Sequence, residues 1–415
     1  MTNPITLADN VNLHIIPTDK FTTNIFCVLI RQPLRRNTVT ETAILPALLS
    51  RGSARYPSVR DIRLAAESLK GSIFDAQIIK KGEQQILQFF LEFVDGDIAF
   101  REQGLNFLSE VIRQPRIESG GFFLPYVSGE SENLKNRIEG RINNKSEYAK
   151  LKCLEIMCHD EPFGLYGDGY AEDLPYMTPI GLFDHYNKIW DTSPIDFIAL
   201  GRWSGYDAWL KEKITAKFAQ LLERDVKTPK TGMRSARSDY ALVQLDHGGS
   251  QGNLCIGLRG EISPLGMDFI HFQLVNEILG GGPNAKLFTN VREKESLCYS
   301  IYSIIYRFKS IMCIMAGTEP DKMEHVLELA DREVSSLKQG NFSARDLDNA
   351  RQSLSKRWRA MQDNPSACVD FYASQYLLED PHTVDELLLQ VKAATAEGVA
   401  HAACCLDIDT VVMMR

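Results

Sequence analysis

The sequence has 415 residues, more than one hydrophobic core usually serves, so two domains of about 200 residues are expected. Hydrophobic residues make up 44% and charged residues 24%, the balance of a folded globular protein and not of a disordered chain. A formal charge of −8 argues against the concentrated positive surface that nucleic acid or an anionic membrane would require.

The first ten residues lack a basic segment followed by an apolar run, and no window reaches the ~20 apolar residues of a membrane span. Nine cysteines, an odd count without framework spacing, point to reduced thiols and a cytoplasmic location. Residues 11–16 alternate, 17–20 turn, and 24–31 (NIFCVLIR) form a β-rich run. A helix is expected over 41–50, ended by Arg51-Gly52-Ser53. A second starts near Ser58, whose hydroxyl caps it; it presents Ile62, Ala65, Ala66 and Leu69 and stops at Gly71. Strands over 72–79 and 84–93 follow, then a helix over 100–113 with Leu105, Leu108 and Val111 on one face.

The second half repeats this order. Residues 253–259 (NLCIGLR) echo NIFCVLIR, and a helix over 264–279, the segment 287–294, strands over 298–306 and 310–316 and a helix over 322–337 complete the match. A period of about 230 residues is far too long for a solenoid and indicates a duplicated domain. The expected class is α+β: two homologous domains, each a mostly antiparallel sheet with helices packed on one face. Their bounds are 1–222 and 239–415, joined by a solvated linker over 223–238 that carries Lys227, Lys230, Arg234 and Arg237 with Pro229 and Gly232.

Five segments carry a family resemblance. LADNVNLHIIP, NIFCVLIR, LSRGSARYPS and LKGSIFDA are similar to the N-terminal domain of pitrilysin-type zinc peptidases, the inverzincins, which include the mitochondrial processing peptidases. LGGGPNAKLFTNVREKESLCYSIYS resembles the family's C-terminal domain and, with many residue types in order, is the more specific stretch. Members that cut peptides carry H-x-x-E-H on the first helix: two imidazoles one turn apart grip zinc, and the glutamate activates its water. Counted back from Arg51-Gly52-Ser53, those positions are Ala43, Pro46 and Ala47, which offer neither ligand nor base. The family's third ligand, a glutamate on a later helix, maps to the ENLKNRIEGR region, where Arg137 takes its place with a permanent positive charge. The resemblance therefore implies a non-catalytic member, with no metal in this chain.

Other metal sets are not evident. No two of the eight histidines are three or four residues apart. Cys153, Cys158 and His159 lack a zinc spacing, and Leu151, Leu154 and Cys158 share a helical face that reads as core. Family enzymes also use an arginine and a tyrosine seven residues apart to hold the substrate backbone and steady the oxyanion; the resemblance places them at Arg292 and Tyr299. From spacing alone the better reading of the two is a solvated helix charge and a strand core residue; the surrounding motif is what favours the functional one. Gly280, Gly281 and Gly282 are either a helix stop with a turn or, by resemblance, a segment that contacts substrate.

Two further readings remain. Gly248, Ser250 and Gly252 satisfy G-x-S-x-G beside His247, but a nucleophile elbow needs a helix after the serine, whereas strands are expected on both sides. A peptidase-like shell used only for structure or peptide binding is the other, as in core subunits of respiratory complexes. The resemblance implies a partner: in two-subunit members one chain brings the zinc helix and the other brings the Arg and Tyr. The expected function is thus the substrate-binding subunit of a heterodimeric zinc metallopeptidase, with peptide as substrate, zinc in the H-x-x-E-H partner, and a homodimer when the partner is absent. Among bacterial branches the sequence is most similar to zinc-free members encoded in pairs, one linked by name with modification of elongation factor P.

Overall fold

A computed structural model describes residues 4–218, 226, 231–246, 248 and 251–415. The chain runs β1 (Ile5–Ala8), β2 (Val11–Pro17), β3 (Thr23–Pro33), α1 (Val39–Leu49), α2 (Val59–Ser68), β4 (Ile73–Lys81), β5 (Gln84–Val94), α3 (Ile98–Arg113), β6 (Ile117–Glu118), β7 (Gly121–Phe122), α4 (Leu124–Glu139), α5 (Lys145–Met157), α6 (Pro179–Thr192), β8 (Ile195–Gly201) and α7 (Asp207–Lys217). It continues with β9 (Ala241–Leu245), β10 (Gly252–Arg259), α8 (Gly266–Leu279), β11 (Cys298–Tyr306), β12 (Ile311–Thr318), α9 (Met323–Lys338), α10 (Ala344–Met361), α11 (Pro365–Leu377), α12 (Val384–Ala393), α13 (Ala396–Cys404) and β13 (Asp407–Met414). Two compact units result. Unit 1 comprises Met1–Glu139, Leu165–Lys230 and Pro365–Ala373; unit 2 comprises Gly140–Gly164, Thr231–Asn364 and Ser374–Arg415.

The sheet of unit 1 has the order β1-β2-β8-β3-β5-β4, antiparallel except between β2 and β8. That of unit 2 has the order β9-β13-β10-β12-β11, antiparallel except between β9 and β13. Setting β2, β8, β3, β5 and β4 against β9, β13, β10, β12 and β11 matches every neighbour and every pairing sense. The repeated pattern in the sequence is therefore a repeated topology.

In unit 1, β3 is apolar and branched along most of its length, and its central residues are buried on both faces. Val11, Leu13 and Ile15, with Phe26, Val28 and Ile30, meet helix residues such as Ile44, Leu48, Leu105 and Leu108 in one core. The opposite face carries a buried polar set: His14 Nε2 lies 2.8 Å from Asp196 Oδ1, and Arg31 Nε lies 3.1 Å from Asp196 Oδ2. Helix α2 begins as expected, since Ser58 Oγ accepts from Asp61 N–H and the Asp61 carboxylate accepts from Ser58 N–H. Past its end, Gly71 adopts φ +77°, which only glycine takes without strain.

In unit 2, helices pack on both sheet faces. A Cβ on Gly252 would point at Met323 of α9, so Leu254, Ile256 and Leu258, which share its parity, face that side. Residues of the other parity, Cys255 and Gly257, face α5. That helix comes from the first half of the chain, so the expected single helical layer is joined here by a second. Cys153, Leu154, Met157 and Cys158 form a dry core with Cys255, Cys313 and Val412, which makes Cys158 a core residue as its helical face implied. Of the basic segment, Lys227 and Lys230 lie outside the described residues. Arg234 is exposed and pairs with Asp160 at 2.6 Å, while Arg237 donates to the Ile156 carbonyl at 2.8 Å and pairs with Asp409.

Candidate functional site

The four positions that the resemblance maps onto the family's zinc site meet in unit 1. Helix α1 has apolar residues all round and is buried on nearly every side, the mark of a core helix. On one side of it, Ala43, Pro46 and Ala47 border a cavity of about 370 Å³. Across from them the edge strand β4 contributes Ala76, Gln77, Ile78 and Lys80, α4 contributes Arg137, and Gly167 and Asp168 complete the wall. Ala43, Pro46 and Ala47 carry no donor atom for a metal and Arg137 repels one, so these residues do not fit zinc. Among the described residues no group of three or more His, Cys, Asp or Glu is arranged to hold a metal ion. The sequence brought Arg137 to this place through the resemblance alone; Lys80, Gln77 and Asp168 were missed, since nothing in IFDAQIIKK marks a cavity wall.

A second cavity of about 380 Å³ shares Ala47 and Ala76 with the first. Its charges are balanced: Arg51 is ion-paired with Glu130, and Arg63 and Asp75 both line it. The first cavity differs. Lys80 Nζ donates to the Leu165 carbonyl at 2.9 Å, and Arg137 is exposed and makes no hydrogen bond or ion pair with any described residue.

In unit 2, Arg292 sits on a π-helical turn, Phe288–Lys294, with its guanidinium carbon 4.7 Å from the Phe288 ring centroid and its charge exposed. Tyr299 stands at the start of β11, the edge strand. Cys298 pairs with Thr318 and Ser300 with Gly317, so Tyr299 is the extra residue of a bulge. Its side chain is turned outward, and the residue is 59% exposed, which rules out the strand-core alternative. The phenol Oη is 3.5 Å from Glu319 Oε1, a carboxylate that also pairs with Lys322 at 3.0 Å. Between the two residues, burial pushes the Cys298 thiol up to about 11 and the nearby Arg292 charge pulls it back.

The three glycines have separable roles. Gly280 ends α8, and a Cβ there would lie 2.7 Å from the Ser303 backbone nitrogen; Ser303 N–H donates to the Gly280 carbonyl at 3.1 Å. Gly281 is equally tight against Glu277, whereas at Gly282 a side chain would meet nothing nearer than 4.0 Å. As for G-x-S-x-G, Ser250 and His247 lie outside the described residues, and the segment joins strands β9 and β10, with no helix after the serine.

Comparison with known proteins bears on both units. Residues 207–354 match the family model described as the peptidase M16 inactive domain. Over 407 residues the chain is 26% identical to a "probable inactive metalloprotease", YmfF, of Bacillus subtilis, covering 97% of this chain and 95% of that protein. The chain is thus similar to an inactive peptidase domain over residues 207–354 and, over nearly its whole length, to a relative described as a probable inactive metalloprotease. It is also 26% identical over 153 residues to an "uncharacterized zinc protease", YmxG, of the same organism, which covers 36% of this chain and 37% of that one. A crystal structure of a conserved protein from Enterococcus faecalis superposes with a TM-score of 0.89 at 24% identity, over 100% of this chain and 98% of the other, and so shares the fold. No helix among the described residues is long and apolar enough to cross a membrane.

Proposed function

We propose that this homologue is the peptide-binding, non-catalytic subunit of a heterodimeric zinc peptidase, paired in the cytoplasm with a homologous chain that carries H-x-x-E-H and the zinc. The observation that carries the reading is the bulge at Tyr299. A phenol on an edge strand, turned out to 59% exposure, and an unburied guanidinium whose charge acts on the adjoining Cys298 supply donors suited to a peptide carbonyl. The bulge lets Cys298 and Ile301 both be buried and turns outward an aromatic ring that regular alternation would place on the same side as Ile301. Strand β11 is also an edge strand, its outer side taken up at Ser303, whose N–H donates to the Gly280 carbonyl, so the end that carries Tyr299 is the part that suits an extended peptide. The zinc-protease relative supports a partner of that class.

The test begins with a pull-down of this chain from its native extract, with bound proteins identified by mass spectrometry. A stoichiometric homologue with H-x-x-E-H is expected, and the reconstituted pair should cleave peptides. The Arg292→Ala, Tyr299→Phe double variant should still pair and should lose activity by roughly a hundredfold, the usual effect of removing an oxyanion donor. Full activity of that variant would remove the role of both residues. Self-association without a zinc-bearing partner would instead favour a peptide-binding or structural protein outside proteolysis.

A further inference from the structure

We infer that the cavity bounded by Ala43, Pro46 and Ala47 binds a carboxylate of an extended peptide, with Arg137 as its counter-charge. Three observations carry this. The cavity is open volume of about 370 Å³ beside an edge strand, so a chain laid along β4 would direct side chains into it. Its lining holds two cations, Arg137 and Lys80, against one carboxylate, Asp168, in a protein whose formal charge is −8. Arg137 has no ion-pair or hydrogen-bond partner among the described residues, while Arg51 in the adjoining cavity is already neutralised by Glu130. A planar guanidinium with unused donors beside a small apolar wall is the arrangement that takes a carboxylate by two parallel hydrogen bonds.

The chemistry explains why the place is specific for an acidic side chain or a peptide C-terminus and not for any peptide. The apolar wall made by Ala43, Pro46 and Ala47 offers an anion nothing, so the selectivity falls on Arg137, with Lys80 supporting at the strand's end. Where catalytic relatives would present donors for a cation, this chain presents a fixed cation, and the sign of the preferred ligand is inverted. This inference rests on the reading of the chain as a peptide binder, but not on Arg292, Tyr299 or the partner.

The experiment uses the full chain without a partner and fluorescein-labelled extended heptapeptides that differ only in a central Glu, Gln or Lys. Fluorescence anisotropy should show the Glu peptide binding about tenfold more tightly than the Gln peptide, the worth of one charge-assisted hydrogen bond. Arg137→Ala should abolish the difference, and Arg137→Glu should turn the preference toward Lys; both changes are on an exposed helix position and leave the fold intact. Equal binding of the Glu and Gln peptides, or a Glu preference that survives Arg137→Ala, overturns the inference and leaves peptide binding standing. Absence of binding by all three peptides overturns both.

Discussion

Removal of one carboxylate should loosen unit 2. Glu161 is held between two cations in the dry interior: its Oε2 is 2.6 Å from Lys309 Nζ and its Oε1 is 2.5 Å from Arg259 Nη2. The side chains of Lys309, Glu161 and Arg259 are 0%, 2% and 3% exposed. Burial raises the Glu161 carboxyl's pKa, but hydrogen bonds from Lys309 and Arg259 outweigh that effect and hold it below the usual range. Glu161→Gln leaves two buried cations facing each other, and breaking a buried pair in this way costs about 3–5 kcal/mol. For a unit of about 200 residues, 1 kcal/mol moves the thermal midpoint by about 2–4 °C, so a fall of roughly 6–20 °C is expected. Lys309 also donates to the Gly232 carbonyl and Arg259 to those of Arg234 and Met157, so the loss should free the 231–238 segment and the end of α5 together. Differential scanning calorimetry reads the first effect and limited proteolysis the second. The triple variant Glu161→Leu, Arg259→Met, Lys309→Met should recover most of the loss, because apolar replacements need no counter-charge. A single variant within about 1 kcal/mol of the parent, or a triple variant no better than the single, would refute the reasoning.

Two further changes follow from packing and titration. A Cβ on Gly257 would lie 2.2 Å from Met157 Cε and 2.7 Å from Cys153 Sγ, so Gly257→Ala should overpack the seat of α5 and cost about 1–3 kcal/mol by urea denaturation. An unchanged midpoint would mean that α5 is not seated there. Burial, with Lys188 adding to it, lowers His185 from 6.5 to about 4, and its Nε2 lies 2.8 Å from Thr42 Oγ1. A depressed base is neutral in the fold while the unfolded chain takes up a proton. Its contribution is therefore complete above pH 6.5 and is lost as pH falls toward 4, up to about 3 kcal/mol. His185→Gln should flatten the dependence of thermal midpoint on pH in that window, which lies above the one for Glu161; an unaltered slope would contradict the assignment.

The sequence made the repeated strand order legible because each strand pair is local and its apolar run is strong, as in NIFCVLIR and NLCIGLR. It made the end of α2 legible because Ser58 and Gly71 act through their own backbone neighbours. Tyr299 was harder. Regular alternation along CYSIYS cannot predict its direction, since the bulge between Cys298 and Ser300 depends on how β12 pairs. The allegiance of α5 was also hidden: KSEYAKLKCLEIM has a weak apolar stripe, and its partner surface lies some hundred residues further on at Cys255 and Gly257. Nor could composition reveal that Arg137 faces a cavity, because α4 and α1 are brought together only by the tertiary fold.

The duplication gives the two candidate sites a common origin in topology. Strand β4 and strand β11 hold the same place in matching sheet orders, the outer edge next to the second strand of a hairpin. An edge strand presents backbone donors and acceptors that a folded protein must protect or use, and on β11 the Gly280 carbonyl takes only the Ser303 N–H among the bonds described. Neither edge is simply protected: β4 lines a cavity with an uncommitted guanidinium, and β11 opens with a bulge that spends a tyrosine on exposure. On the proposed reading, the lack of metal donors on α1 does not leave the surface idle: the first edge would accept an anion, and the second would hold a peptide backbone. On that argument the Arg137 variants should change which peptide is chosen, whereas those at Arg292 and Tyr299 should change what is done with it.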